Sequence, residues 1–591
     1  MNIQDCDILR YLSAKQCSNQ RMLAEGSGYS LGAVNRSLRQ LMEKGLLTNT
    51  YKLTDRAKAL LKKSKPRNAI ILAAGIGMRM VPINTLAPKA LLEIHGEPLI
   101  ERIIRQLQEV GILDISVVVG FMKERFDYLI DEFGVKLVVN PAYAEKNNLC
   151  SLALAAEEIS NTYIIPGDLW FAENPFSQNE LYSWYMVSDQ KRADSQVRVN
   201  RKQELIRVDE GEAGNQMVGL SYLLEEDAVD LRARLRMMNS SSRYDGAFWE
   251  AALDRKNKMA ISARVFPAGL VKEINTFEQL RELDGHSGSL QSDALDVITS
   301  ALHCRADDVT DISVLKKGMT NRSFLFRVRE KKYIMRIPGE GTDQLINRRQ
   351  EAAVFQAIRG AGLCDDPVYL NPANGYKITK YLEGVRVCDP EDPSDLQRCM
   401  TLLKHFHEMR LQVDHCFDIF GQIEFYEGLW NGQPSAYRDY EKAKQNVLSL
   451  RDYLDHQPKE WCLTHIDAVP DNFLFYTPDG TAEERLQLTD WEYAGMQDPH
   501  VDIAMFCIYS LYDKPKIDQL IDIYFEGDCN PALRAKIYCY IAACGLLWSN
   551  WTEYKRNLGV EFGEYGMRQY RYAKDFYRYA LEAMQKAEAV K

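Results

Sequence analysis

The 591 residues contain no Cys-x-x-Cys pair, no Cys/His spacing of the zinc-binding kind, no internal repeat and no low-complexity tract. These absences exclude a zinc-ribbon or disulfide scaffold, a solenoid and a disordered chain. The 13 cysteines are odd in number and scattered, as expected of free, mostly buried thiols in a reducing compartment. Long apolar runs are also missing. The longest uncharged apolar stretch, Ile537 to Thr552, is too short and too rich in Trp, Asn, Ser and Thr to cross a bilayer. The beginning, MNIQDCDILRYL, lacks a signal-peptide layout, so no membrane association and a cytoplasmic location are expected. What is present is ordinary globular composition, 46% hydrophobic and 26% charged, in a chain long enough for two or three domains.

The net charge of -10 is unevenly spread. Residues 1–67 carry 13 Lys and Arg against 5 Asp and Glu, which leaves +8 there and -18 on the remainder. A basic head on an acidic body suits a polyanionic partner, although a solvated basic face is the commoner cause of such charge.

The head, residues 1–64, reads as three short helices and a wing. In SLGAVNRSLRQLMEKGLL, Leu31, Val34, Leu38, Leu41 and Met42 recur at helical spacing, Ser30 is the expected N-cap, and Gly45 ends the helix. The pattern resembles a winged helix-turn-helix of the MarR-like kind. That resemblance implies a recognition helix from Val34 to Leu41, Arg36 and Arg39 outward, and DNA as a possible partner, with docking or dimerisation as the alternative use. The head is expected to be dispensable for chemistry elsewhere in the chain.

From Lys65-Pro66-Arg67 a new pattern begins. The strand-like NAIILAAG, a helix from Pro98 to Val110 and the strand-like DISVVVGF alternate through about residue 170, which predicts an α/β fold with parallel strands and helices on both faces. Leu72, Ala73, Ala74, Gly75 and Gly77 form a glycine-bearing loop after a strand, where backbone N–H groups can cradle phosphate. Arg79 and Lys89 can neutralise a triphosphate whose pyrophosphate must leave. The string LAAGxGxRM followed by PKAL resembles the sugar-phosphate nucleotidyltransferase family, with a Rossmann-like mixed sheet. Within it, PKALLEIHGEPLIERIIRQLQ, EFGVKLVVNPAYAEKNNLCSL and YIIPGDLWF are similar to bacterial phosphocholine cytidylyltransferases. The resemblance implies CTP and phosphocholine as substrates, Asn147, Asn148 and Ser151 near the nucleoside or substrate pocket, and Asp168 as a ligand of the nucleotide's Mg²⁺. Where the family carries a second acid the chain reads Lys272-Glu273-Ile274-Asn275, so the resemblance leaves two readings, Glu273 as the second ligand or a metal held more weakly because Asn replaces the acid. In the divergent middle, Trp249 and Glu250 are candidates for an aromatic-plus-acid site for a quaternary cation, with Trp170 and Tyr222 as further aromatics. This domain is read as residues 66–285, closed by an Asp284-Gly-His-Ser-Gly-Ser linker.

Residues 291–591 carry a second chemistry. His465-Ile466-Asp467 leads by H-x-D-x-x-x-x-N to Asn472, and 18 residues later comes Asp490 in LTDWEY. Phosphoryl transfer needs a carboxylate to take the proton of the attacking hydroxyl, an amide oxygen for one Mg²⁺ and a second carboxylate bridging metals, and Asp467, Asn472 and Asp490 supply them in order. The strings Gly318-Met319-Thr320-Asn321 and DWEYAG resemble choline/ethanolamine kinases, which have an α+β bilobal, protein-kinase-like fold. The resemblance implies ATP as phosphate donor, Thr320 and Asn321 over the phosphates, Arg336 as the strand cation oriented by Glu351, and Glu383 in the hinge against the base. Trp548, Trp551 and Tyr554 share a helical face and with Tyr493 form a candidate box for trimethylammonium, with Glu492 beside it. The family's acid beyond Asp502 is replaced by Tyr509.

The two resemblances describe consecutive reactions, choline to phosphocholine to CDP-choline, as in bacterial choline decoration of surface glycans. Two alternatives remain open: a transcriptional regulator whose enzyme-like domains sense choline or nucleotides, and an enzyme pair acting on ethanolamine, another amino alcohol or a sugar.

Overall fold

The computed structural model describes residues 1–15, 19–83, 87–209, 211–315, 321–338, 346–478, 481, 483–557, 560 and 562–590. It divides into two compact units, Met1–Asp296 with Ile312–Val314, and Val297–Asp311 with Leu315–Lys591.

The first unit contains the head and the α/β fold together. Four head helices, Ile3–Ala14, Gln20–Ser27, Leu31–Glu43 and Asp55–Lys63, are each capped at the N-terminus by a side chain, from Asn2, Asn19, Ser30 and Thr54. A Leu47–Leu53 bridge makes the wing, and Ile8, Leu9, Leu23, Val34, Leu38 and Leu41 form the core. Leu31, counted above with the buried face, is instead 41% exposed, because it is the first helical residue and precedes the packed turn. Arg36 and Arg39 are exposed.

The α/β sheet is mixed. Asn68–Ala73 runs parallel to Asp114–Val119 on one side and Thr162–Pro166 on the other, with Lys136–Val139 outermost. Beyond Thr162–Pro166, Gly214–Leu223 is antiparallel, followed by Trp184–Arg192 and Lys258–Phe266. Alternation along Ile70-Ile71-Leu72-Ala73 divides the core: Ile71 and Ala73 pack with Ile100, Ile103, Ile104 and Leu107 on one face, and Ile70 and Leu72 with Leu149, Leu152, Leu231 and Leu235 on the other. The expected linker is packed rather than free. Asp284 accepts from the His95 N–H at 2.6 Å, and Ser289 Oγ accepts from the Glu93 N–H at 3.0 Å.

The second unit has a small antiparallel sheet in which Asn321–Val328, Lys331–Pro338, Lys377–Lys380 and Tyr369–Leu370 are successive neighbours. The helix Arg348–Ala357 follows. Its remainder is helical around short strands, with two long helices, Pro531–Asn557 and Tyr565–Val590, forming much of the core. The twelve described cysteines are free thiols, and no described helix is long and apolar enough to cross a membrane.

Candidate functional sites

At the carboxyl end of the parallel strands a cleft of 1040 Å³ is lined by Leu72, Ala73, Ala74, Gly75, Gly77, Arg79, Lys89, Asn147, Asn148, Ser151, Asp168, Tyr185, Glu250, Glu273 and Asn275. The loop geometry explains two of its glycines. Gly77 has φ +65°, and a Cβ there would meet Lys89 Cβ at 3.3 Å; a Cβ on Gly75 would meet nothing, so this backbone is open to a ligand. Lys89 Nζ donates to Asp168 Oδ2 and, at 2.7 Å, to Asn275 Oδ1. Asp168 Oδ1 is buried and has no partner. Glu273 lies across a two-stranded ladder from Leu169, and burial, reinforced by the Asp168 charge, raises its pKa. Asn275, where an acid was expected, is therefore joined through Lys89 to Asp168.

Asn148 and Ser151 reach the cleft from the helix Asn148–Leu154, but their side chains already serve the fold: Asn148 Oδ1 accepts from the Trp249 N–H at 2.8 Å, and Ser151 Oγ accepts from Asn140 at 3.0 Å. Trp249 itself is fully buried in the core and absent from the cleft wall, so it forms no part of a cation cage there. A 3-10 turn over Trp249–Leu253 sends Trp249 inward and leaves the preceding Phe248, 59% exposed, on the cleft. Tyr222 is likewise core, with its hydroxyl on the Ser64 carbonyl, and Trp170 meets His95 edge to face and Arg102 over its ring, outside the cleft. Glu250 does reach it. Its Oε1 accepts from the Tyr185 hydroxyl at 2.9 Å, its Oε2 is buried without a partner, and burial pushes its carboxyl up to about 7. Tyr143, Tyr185, Met217, Met259 and Phe248 are lining residues that sequence reasoning missed, although Phe248 adjoins the candidate Trp249.

In the second unit Asp467 follows the strand Cys462–Thr464. Asn472 Nδ2 donates to the Asp467 carbonyl at 2.8 Å and to its Oδ2 at 3.2 Å. Asp502 accepts from the N–H groups of His465 at 2.9 Å and Ile466 at 2.7 Å, fixing a turn in which Ile466 has φ +70°. Burial, then the charges of Asp490 and Glu492, push Asp467 up to about 8. Burial lowers His465 to about 4, so its ring is neutral and its Nε2 donates to the Thr489 carbonyl at 2.9 Å.

Arg336 meets Glu351 in a fork, at 2.6 and 2.7 Å. Lys377 at 3.1 Å and Arg348 at 3.2 Å join the same carboxylate, and against the cost of burial Lys377, Arg336 and Arg348 hold Glu351 at about 2. Glu492, expected beside the substrate, is instead drawn into this cluster: its Oε2 lies 3.3 Å from Arg348 and 3.6 Å from Arg336. Among the described contacts the cluster joins Arg336, Arg348 and Lys377 to Glu351 and Glu492, and the charge of Asp490 also acts on Arg336. Glu383 is exposed and paired with Lys332 at 2.8 Å, while the hinge is fixed by the Tyr381 N–H donating to the Lys332 carbonyl at 3.0 Å. Thr320 and the side chain of Asn321 lie outside the described residues.

The aromatic residues converge. Tyr493 and Trp548 meet edge to face at 6.1 Å, and Trp548 and Trp551 at 5.5 Å. Tyr426 stands beside Tyr493 and Tyr554, and burial together with charges that include Asp467 raises Tyr426, Tyr493, Tyr509 and Tyr565. Tyr426 and Tyr565 carried no sequence signal, because other helices bring them in. Tyr509 Oη donates to Asp471 at 2.5 Å.

Three family profiles match the chain: winged helix-turn-helix DNA-binding over residues 1–48, MobA-like NTP transferase over 69–189 and choline/ethanolamine kinase over 312–522. The choline-phosphate cytidylyltransferase of Streptococcus pneumoniae is 32% identical over 221 residues, 36% of this chain and 96% of the relative. A 2-aminoethylphosphonate cytidylyltransferase of Lancefieldella rimae is 31% identical over 225 residues, 37% of this chain and 92% of the relative. Protein LicA of Haemophilus influenzae is 27% identical over 268 residues, 42% of this chain and 96% of the relative. The chain thus belongs to the choline-phosphate cytidylyltransferase family, carrying in the same polypeptide a winged helix-turn-helix domain before that region and a choline/ethanolamine kinase domain after it.

Proposed function

We propose that the chain is a bifunctional enzyme that phosphorylates choline with ATP and then transfers the cytidylyl group of CTP to the phosphocholine formed. The observation that carries this reading is that one chain holds both a cleft floored by Lys89 and Asp168 and an Asp467–Asn472–Asp490 constellation. The product of the second site is the acceptor of the first.

In the kinase step Asp467 orients the choline hydroxyl and takes its proton as the oxygen attacks the γ-phosphorus, and ADP leaves. Asn472 holds Asp467 through both its carbonyl and its carboxylate. Arg336, kept rigid by Glu351, meets the phosphates. Tyr493, Trp548, Trp551 and Tyr554 supply ring faces for the trimethylammonium group, which has no N–H to donate. In the cytidylyl step a phosphocholine oxygen attacks the α-phosphorus of CTP and pyrophosphate leaves. Lys89 and Arg79 face the triphosphate, the open backbone at Gly75 cradles it, and Glu250 receives the acceptor's cationic end.

The donor sets fit Mg²⁺ carried by each nucleotide. Asp168 presents an unpartnered buried oxygen, with Glu273 beside it, and the second unit concentrates acidic oxygens at Asp467 and Asp490, with Asn472 adjoining. When bound, the ion neutralises charge developing on the phosphate oxygens. Exposed Arg36 and Arg39 support a duplex nucleic acid as partner of the head.

The test is turnover of each half-reaction by the full chain, with choline and ethanolamine for the kinase and phosphocholine, phosphoethanolamine and 2-aminoethylphosphonate for the transferase. Preference for choline and phosphocholine supports the reading. Preference for the primary amines, or no turnover at either site, overturns it.

A further inference from the structure

The head is seated on the α/β fold, not tethered to it. Its exit is pinned by the Tyr222 hydroxyl donating to the Ser64 carbonyl at 2.7 Å and by Asn161 Nδ2 donating to the Lys63 carbonyl at 2.9 Å. Its first helix is pinned as well. Asp7 accepts from the hydroxyls of Tyr29 at 2.6 Å and Tyr182 at 3.1 Å, and Ser13 Oγ accepts from Asn179 Nδ2 at 3.2 Å. Leu181 packs against the head's own hydrophobic core.

Directly beneath this contact lies a buried ion pair. Arg264 grips Glu180 at 2.9 and 2.8 Å, and Glu180 also accepts from Tyr163 at 2.9 Å and the Trp184 indole at 3.1 Å. The Arg264 guanidinium lies 4.0 Å from the ring of Trp184 and 5.2 Å from that of Tyr182. The head contributes charge here too: against the cost of burial, Arg264 and then Arg10 hold Glu180 below its ordinary range.

The same two strands form the cleft on their other face. Trp184 and Tyr185 are consecutive, so their side chains leave the sheet on opposite sides. Trp184 holds the ion pair; the Tyr185 hydroxyl donates to Glu250 in the cleft. In the neighbouring strand Ala263 pairs with Tyr185 and Arg264 with Met186, while Met259 lines the cleft. Residues 179–183, which lead into the strand Trp184–Arg192, are held from the head by Asp7, through Tyr182, and by Ser13, through Asn179.

We infer that the winged helix head is a fixed wall of the cytidylyltransferase, and that Asp7, acting through Tyr182, is a positioning residue for the strand that presents Tyr185 to the acceptor carboxylate Glu250. This rests on the reading of the cleft as the cytidylyl-transfer site. Loosening that anchor lets the Tyr185–Glu250 pair drift, and a misplacement of about 1 Å can cost on the order of 10²-fold in rate. The triphosphate loop belongs to other strands and is expected to feel little.

The experiment uses the full chain with Asp7→Ala, Asp7→Glu, Tyr182→Phe and the Asp7→Ala/Tyr182→Phe double variant. KM for phosphocholine, KM for CTP, the choline kinase rate and Tm are read from each preparation. Asp7→Ala and Tyr182→Phe each raise the phosphocholine KM about fivefold, the double variant is no worse than the poorer single, and Asp7→Glu recovers part of the loss. The CTP KM and the kinase rate stay within about twofold. Tyr182→Phe removes only a hydroxyl and keeps the ring over Arg264, so it remains informative if Asp7→Ala folds poorly. An unchanged phosphocholine KM in Tyr182→Phe, or equal rises for both substrates with a lowered Tm, overturns the positioning role. A parent chain that performs no cytidylyl transfer overturns the underlying reading instead.

Discussion

The two candidate sites handle acidic charge in opposite ways. In the nucleotidyltransferase cleft the key carboxylate is already matched, because Lys89 donates to Asp168 and to Asn275 beside it. In the kinase unit Asp467 is left among other acids, and burial with Asp490 and Glu492 lifts it to about 8. The first site is poised with an internal cation that the triphosphate must share. The second sets Asp467 beside Asp490 and Glu492, while the cations that Glu492 meets, Arg348 and Arg336, belong to the neighbouring ion cluster. Asn275 belongs to this contrast: an acid there would add a third carboxylate to Asp168 and Glu273 around Lys89.

The largest effects should come from removing either central carboxylate. Asp467→Ala is expected to lower choline phosphorylation by about 10²–10⁴-fold while added phosphocholine is still converted to CDP-choline. Asp168→Ala should do the reverse and let phosphocholine accumulate, as measured by resolved product analysis. Loss of both half-reactions in either folded variant would erase the contrast between the sites.

Next in size is the ion cluster that serves the kinase strand. Glu351→Gln removes the carboxylate charge that Arg336, Arg348 and Lys377 share and should cost about 3–5 kcal/mol of stability. Calorimetry on the full chain checks this through a lowered transition for the kinase unit.

The aromatic box comes third. Trp548→Ala or Trp551→Ala should weaken choline about thirtyfold, the equivalent of ~2 kcal/mol, with a smaller change in the ATP KM. Equal losses for both substrates would make the two rings packing residues.

The smallest expected effect is one of pH at Glu250, which burial raises to about 7. The cationic acceptor binds the ionised form, so its KM should rise about tenfold from pH 8 to pH 6 while the CTP KM stays nearly level. The fold retains this proton where the unfolded chain has released it, so its contribution to stability falls as pH rises from about 4 to 7. Glu250→Gln should flatten the KM profile and be the more stable form above pH 7.

The sequence disclosed most where chemistry and chain order coincide. Asp467, Asn472 and Asp490 sit on one loop and the turn after a hairpin, so their spacing carried their geometry. Arg336 and Glu351 were legible because a strand and the next helix of such a lobe place them together. Tyr426 and Tyr565 were not, since they enter from helices distant in sequence. Trp249 was the aromatic expected at the cleft, but a 3-10 turn decides which ring faces out, and it is Phe248. Glu492 shows a different limit: its place beside Asp490 suggested substrate, whereas Arg348, distant in sequence, recruits it to the ion cluster. The seating of the head was hidden for the same reason, because Asp7 and Tyr182 are linked only by folding.

The most direct test of two independent, consecutive sites mixes Asp467→Ala and Asp168→Ala chains and measures CDP-choline formed from choline, ATP and CTP. The account predicts that neither variant alone forms it and that the mixture does, with phosphocholine passing through solution. Failure of each variant to retain its own half-reaction in well-folded protein would contradict it.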